Sequence, residues 1–387
     1  MKRYYFDYAA TTPTDPKVIE VMQPFLFERF GNPSSIHSFG QEAKRAIENA
    51  RSTIADFLGA KDDEIIFTSG GTESNNFAIF GIVYANEKKG NHIITSAIEH
   101  HAILEPLKFL QTRGYKVSYV KVDKYGTVSV EDIKKEITDK TILISIMHAN
   151  NEIGTIEPIS EISRIAKERE IYFHTDAVQT VGHIPVNVNE LGVDLLSLSA
   201  HKFYGPKGIG ALYVRKGTRI ESFLKGGGQE KHRRASTENV PGIVGMAKAI
   251  SLCKQKMAQE AKYQIHLRDR MIVELQKRIK NIYLNGHPQD RLPNNINFSV
   301  EYIEGESMLL NLDMLGVAAS TGSACTSGDL EPSHVLLAIG RPHELCHGSI
   351  RFTIGRFTKE EDVDYLIDNF PKVVSKLRSM SPLYKEK

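Results

Sequence analysis

The sequence predicts an α/β fold with a mainly parallel sheet of seven strands, joined to a smaller α+β domain. Between about residues 40 and 215, short apolar runs rich in β-branched residues alternate with amphipathic helical stretches. Several runs are apolar almost throughout, as expected when helices cover both faces of a parallel sheet. After about residue 260 a long amphipathic helix and isolated strands follow. We therefore expect a large domain over 15–260 and a small domain formed by 1–14 and 261–387.

The seven predicted strands are the β-branched runs themselves, and the helical stretches between them have apolar residues at every third or fourth position. The strands are EIIFT (64–68), HIITS (92–96), VSYVKV (117–122), TILISIM (141–147), IYFHTD (171–176), DLLSLS (194–199) and ALYV (211–214). Elsewhere we expect helices over 40–60, 159–171, 266–279 and 360–377, and strands over 295–300 and 349–354.

Composition and charge are those of an ordinary globular protein. The chain is 41% hydrophobic and 25% charged, with a net charge of +2, and it has no basic stripe that would indicate nucleic acid or an anionic membrane. It has no apolar run of transmembrane length and no signal-peptide stretch at its start, so we expect a cytoplasmic protein. Cys253, Cys325 and Cys346 are widely spaced, which indicates neither a disulfide framework nor a thiolate zinc site.

Polar residues follow four predicted strands, at the edge where ligands bind in open α/β sheets. After the first strand, the stretch TSGGTE leads into a helix, so backbone N–H groups near Gly71 and Thr72 would suit an anion such as phosphate. An ordinary glycine turn with Thr72 as the helix cap is the alternative.

Two later strand ends carry a carboxylate and an amine. Asp176 stands at the tip of a buried strand and needs a metal, an arginine or a protonated ring nitrogen, unless it only caps the next helix. Lys202 follows Ser199 and His201 at the end of another strand. A partly desolvated lysine has a lowered pKa and can act as an amine nucleophile, although most lysines at strand ends are simply solvated.

The fourth strand end carries His100, which could stack on a cofactor or shuttle protons. A zinc site built from His100, His148, His174 and Asp176 is an alternative, but no recognised ligand spacing supports it. The four ends together supply an anion site, a carboxylate for a cationic ring, a lysine able to form a Schiff base and a ring that can stack. Pyridoxal phosphate needs all four.

Motif blocks in the same order as in a known family extend from about residue 4 to about residue 383. They include YFDYAATTP, TSGGTESNN, HANNEIGT, HTDAVQTVG, SLSAHKFYGPKGIGALYVR, STGSACTS and SIRFTIGRFT. Together they resemble the cysteine desulfurases of the NifS/IscS type, which are pyridoxal phosphate enzymes of fold type I, the aspartate aminotransferase-like fold. The resemblance implies a homodimer with active sites near the subunit interface.

The resemblance also implies a role for each matching residue. Lys202 would hold the cofactor covalently, Asp176 would pair with the pyridinium nitrogen, Gln179 would contact the phenolic oxygen, and His100 would stack on the ring and move protons. The phosphate would be bound by Gly71, Thr72, Ser199, His201 and, from the other subunit, Thr237.

Substrate and sulfur chemistry are implied in the same way. Asn151 would contact the cofactor and the substrate, and Arg351 would bind the carboxylate of L-cysteine as a fork. Cys325 resembles the catalytic cysteine: its thiolate would take the substrate's sulfur as a persulfide and release alanine. The sulfur would pass to an acceptor or iron–sulfur scaffold protein, for cluster assembly or other thiolation, and Cys325 is also considered as a transient cluster ligand. No other metal site is expected.

One departure and three alternatives accompany this interpretation. Ser236 stands where the family usually has the glycine of an R-x-G-T segment, directly before Thr237. The alternatives are a selenocysteine lyase, a transaminase or other fold type I enzyme, and a non-enzymatic sulfur carrier that keeps the fold without the cofactor. A transaminase would not need the thiol of Cys325.

Overall fold

The computed structural model describes residues 2–321, 332–382 and 384, and a seven-stranded sheet forms its centre. The strand order is β2-β8-β7-β6-β5-β3-β4, with β8 antiparallel to both neighbours and the other pairs parallel. All seven predicted strands form this sheet, so the predicted fold class is confirmed. The strands are β2 (Ile65–Thr68), β3 (His92–Ser96), β4 (Lys116–Val120), β5 (Thr141–Ser145), β6 (Tyr172–Asp176), β7 (Leu195–Ser199) and β8 (Gly210–Val214).

Helices cover both faces of this sheet, because alternate side chains of each strand point to opposite sides. In β2, Ile65 and Phe67 belong to one apolar cluster, whereas Ile66 belongs to another. The first cluster includes residues of the helix Ser38–Leu58, and the second includes residues of the helix Gly71–Ala85. The helices up to residue 232 are α1 (Pro16–Met22), α2 (Pro24–Phe27), α3 (Ser38–Leu58), α4 (Gly71–Ala85), α5 (His101–Thr112), α6 (Val130–Glu136), α7 (Ile159–Glu168), α8 (Val188–Leu191) and α9 (Gln229–His232).

A second apolar core lies around a small antiparallel sheet with the order β12-β10-β9. The predicted strands at 295–300 and 349–354 are confirmed as β10 and β12, whereas β1, β9 and β11 were not predicted; β1 and β11 have only two residues each. The strands are β1 (Tyr4–Tyr5), β9 (Ile282–Asn285), β10 (Asn295–Val300), β11 (Val317–Ala318) and β12 (Ser349–Thr353). The remaining helices are α10 (Val240–Arg278), α11 (Gly305–Asp313), α12 (His334–Ala338), α13 (His343–His347) and α14 (Glu360–Met380).

Helix α10 joins the two cores and corrects one prediction. The helix expected to begin at residue 266 begins at Val240 and runs for 39 residues. Its apolar residues up to Cys253 pack in the core of the large sheet, and those from Leu267 onward pack in the second core. The domain boundary at residue 260 therefore falls inside a continuous helix, and the two-domain division stays a prediction. Neither α10 nor another helix of the described ranges has the length and apolarity needed to cross a membrane.

Candidate active site

The candidate site lies at the carboxyl-terminal edge of the large sheet. The predicted residues gather there because β2, β3, β6 and β7 all end at this edge. Strand β8 runs the other way and begins at Gly210, which pairs with Thr68 and Ser199. A Cβ atom at position 210 would lie 2.7 Å from Gly70 Cα. The close approach of these two backbones therefore requires glycine at position 210.

A cavity of about 440 Å³ opens at the start of α4. It is suited to an anion, because the N-terminus of a 15-residue helix and the Lys207 ammonium both favour negative charge. The four residues predicted for the phosphate within one chain all line it. The lining residues are Ala10, Thr11, Ser69, Gly70, Gly71, Thr72, Glu73, Ser199, His201, Lys207 and Gly208.

His201 is held as a neutral imidazole in this cavity. Burial and the nearby charges of Lys202 and Lys207 lower the pKa of His201 to about 4. Its Nδ1 lies 3.1 Å from Thr11 Oγ1. A neutral ring at this position can offer a hydrogen bond to an anion without adding a positive charge.

Asp176 is a buried carboxylate that has hydrogen-bond donors but no ion pair with a described cationic side chain. Its Oδ2 accepts from Asn75 Nδ2 at 2.6 Å and its Oδ1 accepts from the Val178 backbone N–H at 2.9 Å. The other polar atom of this amide, Asn75 Oδ1, is buried and has no hydrogen-bond partner among residues 2–321, 332–382 and 384. The site at Asp176 is thus suited to a cationic group with an N–H donor.

Lys202 and Gln179 meet at the same backbone atom. Lys202 Nζ donates to Ala9 O at 2.6 Å and to Ala10 O at 2.8 Å, and Gln179 Nε2 donates to Ala9 O at 3.1 Å. The backbone of Lys202 is also fixed, because its carbonyl oxygen accepts a hydrogen bond from His183 Nε2 at 2.9 Å. The side-chain nitrogens of Lys202 and Gln179 therefore lie close together.

His100 caps α5 and lies within electrostatic range of the same groups. Its Nδ1 accepts from the Ala102 backbone N–H at 3.0 Å, which leaves Nε2 to carry the proton of the neutral ring. Burial lowers the pKa of His100; the charge of Asp176 opposes this shift and that of Lys202 adds to it. The structure thus brings His100, Asp176 and Lys202 together.

The geometry of His174 argues against the zinc alternative. Both ring nitrogens of His174 are occupied, by Ser145 Oγ and Ser197 Oγ at 2.9 Å each. Burial lowers the pKa of His148 to about 4. The Nδ1 atom of this ring has no hydrogen-bond partner among the described residues. Within residues 2–321, 332–382 and 384, no cluster of histidine, cysteine or carboxylate side chains is arranged to hold a metal ion.

Arg351 lies on β12 and is buried next to Asn151. Its Nη1 donates to Asn151 O at 2.8 Å, and its Nη2 donates to Asp7 Oδ1, also at 2.8 Å. The side chain is only 3% exposed. Two predicted substrate residues are thus adjacent. The predicted nucleophile, Cys325, lies outside the described residues.

Thr237 does not line the cavity of its own chain; it is exposed. Its segment is tied to the cavity by Arg234, whose Nε and Nη2 donate to the Glu73 carboxylate at 2.8 and 3.1 Å. The preceding Ser236 has φ +91°, a backbone region that glycine adopts far more easily than serine. This backbone conformation explains why glycine suits position 236, and we expect serine there to cost about 1 kcal/mol of stability.

Sequence reasoning missed several residues that support the site. Asn75 follows Gly71 by four residues in α4, so helical spacing already placed it on the same side. Lys207, within the glycine-rich turn after Lys202, was a basic residue next to a predicted anion site. His183 and the segment of Ala9 gave no local signal, because their contacts with the site span 19 and 193 residues.

A buried ion-pair network fixes the chain just after Lys202. Arg356 Nε donates to Glu260 Oε1 at 2.6 Å and its Nη1 donates to Asp15 Oδ2 at 2.8 Å. The guanidinium lies 4.1 Å from the ring centroid of Tyr204, whose hydroxyl accepts from the Arg356 backbone N–H. Tyr204 itself has φ +67°. Burial disfavours the charge, but the bond with Glu260 outweighs it and raises the pKa of Arg356.

Replacing Arg356 by methionine is expected to destabilise the protein by about 3–5 kcal/mol, because two largely buried carboxylates lose their counter-charge. Urea unfolding measures the change. As a control, Lys135→Met removes an exposed ion pair with Asp132 and is expected to leave the unfolding midpoint unchanged. Equal midpoint shifts in the two variants would show that the Arg356 network stabilises the fold no more than an exposed ion pair does.

Comparison with known proteins agrees with this fold. The chain matches the aminotransferase class-V family over residues 4–366, and it therefore belongs to that family. It is 63% identical over its whole length to cysteine desulfurase IscS of Dictyoglomus turgidum, covering 98% of that protein. It is 57% identical over 99% of its length to cysteine desulfurase IscS of Methanosarcina thermophila, covering 94% of that protein.

Solved structures agree. A structure described as a NifS-like protein superposes with a TM-score of 0.92 at 39% identity, over 97% of this chain and all of that one. The structure of SspA in complex with cysteine superposes with a TM-score of 0.81 at 36% identity, over 92% of this chain and all of that one. Within the class-V family, the chain belongs with the cysteine desulfurases of the NifS/IscS type.

Proposed function

We propose that the protein is a pyridoxal phosphate-dependent cysteine desulfurase, which converts L-cysteine to L-alanine and keeps the sulfur as a persulfide on Cys325. The observation that carries the proposal is one sheet edge at which an anion cavity, a buried carboxylate without a cationic partner among the described side chains, and a lysine occur together. The cysteine desulfurase relatives at 63% and 57% identity support the same reaction.

The residues present suit the cofactor. The cavity at the start of α4 would take its phosphate, and the Asp176 carboxylate would take its ring nitrogen, next to the unpartnered Asn75 Oδ1. Gln179 and His100 would contact its ring. When bound, pyridoxal phosphate supplies an aldehyde for amino groups and a ring that accepts the electron pair of the substrate's Cα.

The chain's own residues would do the rest. Lys202 Nζ would tether the cofactor and His100 Nε2 would carry protons, which suits a histidine kept largely neutral by burial. Arg351 would bind the substrate's carboxylate. The Cys325 thiolate would attack the sulfur, so that the Cβ–S bond breaks, an S–S bond forms and Cβ gains a proton. One cysteine and one thiol give one alanine and one persulfide, with atoms and electrons balanced.

We also propose that two copies of the chain form the working enzyme. The surface from α2 to the start of α3 exposes apolar side chains, among them Phe27 at 84% and Ile36 at 94%. Exposure on this scale is typical of a surface that a second chain covers. Arg234 holds its segment near the cavity of its own chain through Glu73, and Thr237 on the same segment is exposed. In the dimer, Thr237 would reach the phosphate site of the partner subunit. The acceptor of the sulfur, such as an iron–sulfur scaffold protein, and a cytoplasmic location stay predictions.

Incubation with L-cysteine and no reductant tests the function. We expect alanine to form and the intact chain to gain the mass of one sulfur atom on the peptide that contains Cys325. Sedimentation of the same preparation is expected to give twice the 43.4 kDa chain mass. Keto acid in place of alanine would indicate a transaminase, and a colourless protein without turnover would indicate a sulfur carrier. Activity with selenocysteine alone would indicate a selenocysteine lyase.

A further inference from the structure

The N-terminal segment 7–11 lies across the candidate site and contacts both of its halves. On the cofactor side, Ala9 O accepts from Lys202 and from Gln179. On the substrate side, the Asp7 carboxylate reaches the arginine that would bind the amino acid. The contacts at Ala9 involve only its backbone carbonyl, so they do not depend on the side chain. The negative charge of Asp7, in contrast, lies beside the guanidinium that the carboxylate of the substrate would approach.

The hydrogen-bond donors of Arg351 show where a substrate can bind. Nη1 is taken by Asn151 O and one Nη2 hydrogen by Asp7 Oδ1. Nε is buried and has no hydrogen-bond partner in the part of the chain that the structure describes. A guanidinium carries five N–H donors, so Nε, the second Nη1 hydrogen and the second Nη2 hydrogen remain, and the edge formed by Nε and Nη2 can bind a carboxylate. Such a carboxylate would share Nη2 with Asp7.

Asp7 is held in place by the backbone around it. Asp7 forms a β-bridge with Thr353, Thr353 N donates to Phe6 O at 2.7 Å, and Tyr5 Oη donates to Asp7 O at 3.0 Å. The Asp7 side chain is 19% exposed. Asp7 is also the acid that pairs with Arg351 among the described residues. A substrate carboxylate therefore meets a fixed negative charge beside the guanidinium.

We propose that Asp7 is a specificity-determining residue that sets the affinity for the amino acid. Its carboxylate neutralises the buried Arg351 when no amino acid is bound, and it repels the carboxylate of the substrate or product that shares the guanidinium. Substrate binding is thereby weakened and alanine leaves more readily. The inference rests on the proposed function, because it takes Arg351 as the substrate's carboxylate site.

The test compares neutral variants with a charged one. In Asp7→Asn an oxygen still accepts from Arg351 but the charge is gone, so the dissociation constant of L-alanine is expected to fall roughly tenfold. Asp7→Glu keeps the charge and is expected to stay near the wild-type value. Isothermal titration of the holoenzyme with L-alanine measures the constants. Steady-state kinetics with cysteine should show KM falling in Asp7→Asn while kcat does not rise.

Tighter binding is the decisive sign, because a merely structural defect would weaken binding. Asp7→Ser is a second neutral variant if the asparagine protein does not fold, and Asp139→Asn, an exposed acid with its side chain 85% exposed, is the control. Unchanged or weaker alanine binding in the folded neutral variants would overturn the proposal. Failure of the proposed function has a separate sign: the wild-type protein would form no alanine from cysteine, whatever the binding constants are.

Discussion

Replacing Lys202 by alanine is expected to give a protein without covalently attached pyridoxal phosphate and to reduce alanine formation by about three orders of magnitude or more. The reason is that Lys202 Nζ is the amine that would bind the cofactor's aldehyde, and the Lys202 carbonyl is held by a hydrogen bond from His183. Borohydride reduction followed by peptide mass analysis measures the attachment. The wild-type protein should carry the tag on the peptide that contains Lys202.

Lys207→Ala is the matched control, since this lysine lines the anion cavity yet would not tether the cofactor. Loss of its charge is expected to weaken cofactor binding about tenfold while the borohydride tag on Lys202 persists. A tag on another lysine in the wild-type protein would contradict the assignment of Lys202.

Replacing Cys325 by serine is expected to keep the yellow cofactor but to lower sulfide release from cysteine by about three orders of magnitude or more. A hydroxyl cannot form the S–S bond on which the reaction depends. Absorbance measures cofactor content, and sulfide released in the presence of a thiol reductant measures turnover. The intact mass after incubation with cysteine should then show no added sulfur.

The other cysteines provide the controls for this experiment. Burial raises the pKa of Cys253 to about 12 and that of Cys346 to about 11, so neither thiol is a thiolate at neutral pH. Cys346→Ala is therefore expected to retain full turnover. Full activity in Cys325→Ser would refute the persulfide route and favour a transaminase, which has no use for that thiol.

The sheet was predictable because each strand has a strong local signal. Runs such as residues 92–96 and 195–199 are apolar and β-branched, and helix-covered parallel strands require this pattern. Only the last third of the long helix was predicted, since the stretch after Val240 contains Gly242 and Gly245, which weaken a helical pattern. Packing of this stretch against the large core overrides that weakness.

The candidate site likewise contains residues that the sequence indicated and a residue pair that it could not. Asp176, Ser199 and Lys202 stand at strand ends, so the sequence already indicated that they share an edge. The partnership of Asp7 with Arg351 could not be predicted, because the two residues are 344 positions apart and neither has a local pattern that points to the other. The role of Cys325 comes from the family resemblance and stays a prediction.

Helix α10 has a mechanical consequence. At about 1.5 Å per residue, its 39 residues form a rod of about 58 Å that belongs to both apolar cores. The second core also contains Phe6, from the start of the chain, beside Leu267 and Met271 of α10, so a cut near residue 260 would separate side chains that pack together. A flexible hinge between the two cores would therefore have to interrupt this helix.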